Sequence, residues 1–154
     1  MKKFSENRTM ICNLICTVLM VILLVLQFMP FWSYGDQSNS IQGYIWFPTE
    51  CDELEDYFVE NVGSDYSVND VVVMPITTLF ATVGTVVLFV FFKERIFTAI
   101  VPAICGVVGI YGYLSKPIYQ LGAGWGFHVV LCVAITVAAV LAMVNGLLTY
   151  KKSK

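Results

Sequence analysis

The residues best suited to chemistry in this sequence are nine carboxylates within residues 31–70, a segment without Lys, Arg or His. They are Asp36, Glu50, Asp52, Glu53, Glu55, Asp56, Glu60, Asp65 and Asp70. Such a cluster can hold Ca²⁺ through roughly six to eight oxygens, exchange protons in acid–base catalysis, or attract a basic partner. The segment 49–60 does not have the spacing of an EF-hand loop. A solvated acidic face, a docking surface and a discrete cation site all stay open.

A short amphipathic helix over residues 50–61 is predicted to present these carboxylates. Leu54 and Phe58 fall on its apolar face and, with Trp32 and Trp46, are predicted to pack the segment. The candidate interaction surface lies on the opposite face and comprises Asp52, Glu53, Asp56 and Glu60. This surface is either a solvated acidic face or a site for a basic protein partner or a cationic ligand.

The remaining reactive groups do not converge on a site. His128, the only histidine, has Cys132 four residues later on the same helical face, and two ligands fall short of a zinc site. No Ser-His-Asp or Cys-His arrangement is apparent, so the sequence predicts no enzyme, no metal and no cofactor, and we expect no nucleic-acid partner. Cys51 is the only cysteine of the acidic segment and is either a buried free thiol or paired between chains.

Long apolar segments on both sides of the acidic segment predict membrane spans that hold it in place. The chain is 58% hydrophobic and 13% charged, outside the usual range of a soluble domain. Apolar runs of about 20 residues can cross a hydrocarbon core of about 30 Å. The predicted order is a cytoplasmic N-terminus (1–9), span 1 (10–29), an acidic extracellular module (30–70), span 2 (71–92), a cytoplasmic turn (93–95), span 3 (96–114), an extracellular loop (115–124), span 4 (125–150) and a cytoplasmic C-terminus (151–154).

Charge is sorted between the two ends of the predicted bundle. Only Lys116 shares the side of the acidic module, and the other basic residues share the opposite side: Lys2, Lys3, Arg8, Lys93, Arg95, Lys151, Lys152 and Lys154. The positive-inside rule then places both termini in the cytoplasm and the acidic module outside the plasma (cytoplasmic) membrane.

The module itself is predicted to contain a β-hairpin before the short helix. Residues 31–34 and 40–47 are rich in aromatic and branched side chains, and residues 35–39 between them have turn chemistry. The expected fold is therefore an all-α membrane protein of four transmembrane helices, with a small extracellular β-hairpin plus a short helix between spans 1 and 2.

Small residues form stripes along the third and fourth spans, where they let helix backbones approach closely. These residues are Gly106, Gly109, Gly112, Ala134, Ala138, Ala142 and Gly146. We expect them to pack within one bundle, with self-association into a homo-oligomer as the alternative. Gln27 and Thr78 are expected to hydrogen-bond between helices, and the absence of charged residues from the span cores leaves proton-coupled transport without a carrier.

The segments MPFW (29–32) and GYIWFPTEC (43–51) follow the first span in this order. They resemble the claudin-like group, which places a Trp after span 1 and then a Gly-Leu-Trp and two cysteines on a small extracellular sheet. Trp32, Gly43, Trp46 and Cys51 would occupy comparable places, but Gly43 and Trp46 are more widely spaced and the second loop cysteine is missing. The resemblance implies four spans with both termini inside. The chain is also similar to small four-span proteins of bacterial membranes.

We therefore expect a non-enzymatic integral membrane protein that presents its acidic module to another envelope or membrane component, with the lipid bilayer as its other partner. The alternative is a subunit of an oligomeric pore or transporter. A polar stripe continuous across the membrane would favour that alternative, and the polar residues of this sequence lie mostly near the span ends.

Overall fold

The structure, a computed structural model, describes residues 2–46, 52–63 and 68–152. Within these residues, four helices are long and apolar enough to cross a membrane: Asn7–Leu26, Val71–Phe92, Ile96–Ser115 and Trp125–Leu148. This confirms the prediction of four spans and indicates a multi-pass membrane protein. Large apolar side chains cover the outside of the bundle, among them Phe80 and Val130 with 71% and 66% of their surface exposed. Such a surface suits a hydrocarbon solvent.

Ten helices and strands follow one another in the described residues. In chain order they are α1 (Lys2–Leu26), β1 (Pro30–Tyr34), β2 (Gln37–Ser40), α2 (Ile41–Trp46), α3 (Asp52–Val62), α4 (Val68–Phe92), a 3₁₀ segment (Ile96–Ala99), α5 (Ile100–Ser115), α6 (Pro117–Gln120) and α7 (Trp125–Lys152). We call β1, β2, α2 and α3 together the polar module.

Span 1 ends earlier than predicted. The helix α1 stops at Leu26 rather than at residue 29, and Pro30 begins β1. Because the residue before a proline is disfavoured in the helical conformation, Met29 does not continue the helix. The backbone carbonyl of Gln27 is consequently free to accept the N–H of Gln42 at 2.9 Å.

Small residues bring the spans close together inside the bundle, where α7 packs against α1 and α5. A Cβ at Gly106 would overlap Thr136, and a Cβ at Gly109 would overlap Cys132, both on α7. The space that a Cβ would need at Gly112 is occupied by Met74, and the space at Gly146 is occupied by Ile96. Of the alanines on α7, Ala134 is half-buried, and three are buried in a cluster with Cys16 and Ala99, namely Ala138, Ala139 and Ala142.

A two-stranded antiparallel hairpin lies between spans 1 and 2, as predicted, but its second strand is short. The chain turns at Gly35 and Asp36, and Gly35 has φ +55°, a conformation that glycine adopts at little cost. β2 then ends at Ser40, and residues up to Trp46 form the helix α2. The prediction of a strand over residues 40–47 is therefore wrong, with residue 47 outside the described residues.

The side chain of Ser40 explains this difference. Its Oγ accepts the backbone N–H of Gly43 at 2.8 Å, which is the bond of an N-cap residue at a helix start. Local side-chain bonds of this kind compete with strand pairing. The cap is not evident in the sequence, because the aromatic and branched residues that follow Ser40 are typical of a strand. As a helix, the segment buries three side chains: Ile41, Gln42 and Tyr44.

Candidate functional site

The helix α3 has one buried face and one acidic face, as its sequence predicts. Leu54 and Phe58 are completely buried. Glu53, Asp56 and Glu60 are exposed and follow helical spacing, so they share a side of the helix. Acidic residues in the first turn also interact favourably with the helix macrodipole. The carboxylates are therefore presented without loss of the apolar contacts that hold the helix.

Trp32 is the side chain on which the buried face of α3 rests. Its ring meets Phe58 edge-on, with centroids 5.1 Å apart, and stacks on Tyr119 at 6.1 Å. Its Nε1–H donates to the carbonyl of Ile118 at 2.9 Å, so the polar group of this buried indole is satisfied. Trp32 thus joins the polar module to α6, between spans 3 and 4.

Phe31 makes a second attachment to the same region. A bulge in β1 directs both Phe31 and Trp32, which are consecutive residues, into the core. The Phe31 ring lies against Gly122, where a Cβ could not be accommodated, and edge-on to His128 at 5.1 Å. The carbonyl of Phe31 accepts the N–H of Ala123 at 2.6 Å. Backbone and side chain together bind β1 to the connection between spans 3 and 4.

Two buried glutamines tie the polar module to spans 1, 2 and 3. Gln42 Nε2 donates to Gln27 Oε1 at 3.0 Å and to the carbonyl of Pro75 at 3.1 Å. Gln27 Nε2 donates to Thr78 Oγ1 at 3.1 Å and to Tyr113 Oη at 2.9 Å. Every side-chain N–H of the two amides is used, so their burial leaves no donor unpaired. This is the interhelical role predicted for Gln27 and Thr78.

Pro75 provides a further attachment point on span 2. Because proline has no N–H, the carbonyl of Val71, four residues earlier, lacks its helical partner. Tyr119 Oη donates to this carbonyl at 2.8 Å. The carbonyl that has no helical partner in α4 thus accepts a hydrogen bond that links α4 to α6.

An open groove of about 710 Å³ lies between the acidic face of α3 and the hairpin turn. Asp36 lines it from the turn, and Glu53, Asp56 and Glu60 line it from the helix. The other lining residues are Ser33, Tyr34, Gly35, Gln37 and Tyr57. No basic side chain is among these described residues, so repulsion between the four carboxylates is not offset inside the groove.

Two of the lining residues are tyrosines that join the sides of the groove. Tyr34 on β1 and Tyr57 on α3 stack, with ring centroids 5.9 Å apart and planes inclined by 25°. Aromatic rings attract ammonium and guanidinium groups through the ring quadrupole, and guanidinium also stacks on them. The groove therefore combines two features suited to an arginine or lysine side chain.

Three of the four residues of the predicted interaction surface lie together along the groove, namely Glu53, Asp56 and Glu60. Asp52 is exposed on the same helix but does not line the groove. Of the residues predicted to pack the module, the structure buries Trp32, Leu54 and Phe58 completely.

Trp46 differs from the other predicted packing residues, because 55% of its surface is exposed. It is the last residue of α2. Its Nε1–H donates to Gln42 Oε1, one helical turn earlier, at 3.0 Å. Trp46 therefore orients the buried amide of Gln42 instead of filling the core.

The described cysteines and histidine form no cluster that could hold a metal ion. Cys12, Cys16, Cys105 and Cys132 are free thiols, and Cys51 lies outside the described residues. His128 is buried, and its Nδ1 lies 3.2 Å from the carbonyl oxygen of Gly124. Its surroundings are the aromatic rings of the module and of span 3, which fits a role in packing.

Three residues that shape the groove do not stand out in the sequence as site residues: Tyr34, Asp36 and Tyr57. Asp36 belongs to the count of acidic residues, but nothing in the spacing brings it opposite α3. The Gly-Asp pair at residues 35–36 is the signal for a two-residue turn that would place Asp36 at a hairpin tip. No comparable signal marks the tyrosines.

Comparison with known proteins does not identify a relative. No protein-family model, curated protein or solved structure matches the chain. The resemblance to the claudin-like group therefore supports no assignment, and Gly43 and Trp46, which would carry part of it, lie on the helix α2 rather than on a sheet.

Proposed function

We propose that this chain is a non-enzymatic membrane protein whose polar module recognises a basic segment of another membrane or envelope component. The observation that carries the proposal is the groove, where four carboxylates and a stacked tyrosine pair meet without a basic side chain among the lining residues.

The attachment of the module to the spans supports the same proposal. Recognition is more favourable when the binding surface is already ordered, because less conformational entropy is lost on association. Trp32 donates a hydrogen bond to α6, and Gln42 donates one to the carbonyl of Pro75 on α4. Tyr119 in turn donates a hydrogen bond from α6 to α4. The groove is consequently carried by a surface that packing and hydrogen bonds fix in place.

Photocrosslinking in native membranes tests this function. A photoreactive residue replacing Gln37, which is exposed and lines the groove, should capture a protein through a Lys- or Arg-rich segment identified by mass spectrometry. The same residue replacing Asp52, on α3 but outside the groove, is the matched control and should capture it less. Equal capture at both positions, or capture of lipid alone at Gln37, would refute recognition in the groove.

The proposed function also places the polar module outside the plasma membrane and both termini in the cytoplasm. Support comes from the distribution of basic residues and the positive-inside rule. An impermeant thiol reagent added to intact cells should label a cysteine introduced at Ser38, on the hairpin, and spare one introduced at Glu94, between spans 2 and 3. Both positions are exposed, and the unsubstituted chain measures the background from its own cysteines. The reverse labelling pattern would contradict this orientation.

A further inference from the structure

The end of the bundle opposite the polar module carries a second charged surface. Lys93, Glu94 and Arg95 form the turn between α4 and the 3₁₀ segment, and all three side chains are exposed. Arg8 is exposed near the start of α1. We call Arg8, Lys93 and Arg95 the basic collar. The helix α7 also ends at this side of the bundle, with its backbone running through Lys151 to Lys152.

Hydrogen bonds join α1 to the turn that carries Lys93 and Arg95. Asn13 Nδ2, five residues after Arg8 on α1, donates to the carbonyls of Lys93 and Arg95 at 2.9 and 3.1 Å. Thr98 Oγ1 donates to the carbonyl of Phe92 at 2.8 Å. These bonds fix the backbone of the turn while its charged side chains stay exposed to the surroundings of the bundle.

Exposed aromatic side chains adjoin the basic turn. Phe91 and Phe92 precede it and Phe97 follows it, with 72%, 46% and 42% of their surfaces exposed. The rings of Phe92 and Phe97 are in edge-to-face contact at 5.1 Å. Exposed apolar rings suit contact with lipid acyl chains, and basic residues beside the headgroup layer attract anionic headgroups.

We propose that the basic collar binds the headgroups of anionic phospholipids. A free anion in solution would be attracted by the charges alone, whereas a lipid also meets the exposed rings beside them, and this combination favours the lipid. The proposal does not depend on the function proposed for the groove, which lies at the other end of the bundle.

Lipid retention measures this binding. The purified full-length chain is equilibrated in mixed micelles of phosphatidylglycerol and phosphatidylcholine, and the retained lipids are counted by native mass spectrometry. The wild-type chain should retain phosphatidylglycerol in preference to phosphatidylcholine. In the double variant Lys93→Gln/Arg95→Gln, the ratio of retained phosphatidylglycerol to phosphatidylcholine should fall by about fivefold for each basic side chain replaced.

Glu94→Gln is the matched control, because it removes a negative charge from the same exposed turn, whereas the double variant removes positive charges. It should keep or increase the preference for phosphatidylglycerol. An unchanged preference in the double variant would overturn the proposal, and so would an equal loss in Glu94→Gln, since the turn rather than its charge would then matter. Inorganic phosphate in millimolar excess should not displace the lipid, and full displacement would indicate an anion site rather than a lipid surface.

Discussion

The two sides of the polar module differ in burial and in charge. The side that faces the spans buries Trp32, Leu54 and Phe58 completely and pairs the donors of two buried amides. The groove side gathers four carboxylates without a basic side chain among its lining residues. Packing and satisfied hydrogen bonds stabilise a fold, whereas exposed like charges slightly oppose it. The inner side therefore accounts for the stability of the module, and the groove side carries the surface on which the proposed binding depends.

The largest effect should follow from removing the apolar contacts of α3. Leu54→Ala or Phe58→Ala should each lower the free energy of unfolding by about 2 to 5 kcal/mol, because a buried side chain is replaced by a cavity. Thermal unfolding in detergent and limited proteolysis of the module measure this loss. Val59→Ala on the same helix, where 45% of the side chain is exposed, should have a much smaller effect. Equal losses at all three positions would break the distinction between the two sides.

A smaller loss should follow from removing the buried amide of the module. Gln42→Leu leaves Gln27 Oε1 without its donor and should lower the free energy of unfolding by about 1 to 3 kcal/mol, the cost of an unsatisfied buried polar group. The same thermal unfolding assay applies. Gln37→Leu, at an exposed position of β2, is the control for replacing a glutamine and should leave stability nearly unchanged. A stability of Gln42→Leu equal to that of the wild type would show that the amide pair does not hold the module.

Local signals in the sequence predict much of the fold. The four spans follow from apolar runs, and the two faces of α3 follow from helical spacing within a dozen residues. The sequence of α2 wrongly predicts a strand. Its aromatic and branched residues are typical of strands, and the helix start is marked only by the hydrogen bond from the Gly43 N–H to Ser40 Oγ.

Contacts between distant residues could not be predicted in this way. Gln42 and Gln27 are 15 residues apart, and Trp32 and Ile118 are 86 residues apart, so no periodicity relates them. The groove has the same origin, since Asp36 comes opposite α3 only when the hairpin and the helix dock on the spans. The sequence predicts the acidic face of the helix, and tertiary packing supplies the second side of the groove.

The smallest effect on stability should follow from neutralising the groove. Asp56→Asn/Glu60→Gln should change the free energy of unfolding by less than about 1 kcal/mol, because exposed charges contribute little. The pair Asp52→Asn/Glu55→Gln removes the same charge from α3 outside the groove. It should cost at least as much stability, because both residues lie in the first turn of the helix and Glu55 Oε1 accepts a hydrogen bond from Tyr44 Oη at 3.1 Å. Thermal unfolding of both variants in one detergent makes the comparison. A loss of several kcal/mol in the groove variant would mean that its carboxylates hold the fold, against the separation of the two sides.

The association rate of an arginine-rich peptide with the detergent-solubilised chain, measured over a salt series, tests recognition in the groove most directly. Charges beside an interface steer encounter, so the wild-type rate should fall as salt rises. The variant Asp56→Asn/Glu60→Gln should associate more slowly and with a weaker salt dependence, whereas Asp52→Asn/Glu55→Gln should stay close to the wild type. If the two variants associate at the same rate and with the same salt dependence, the groove does not recognise a basic partner and its carboxylates form only a solvated surface.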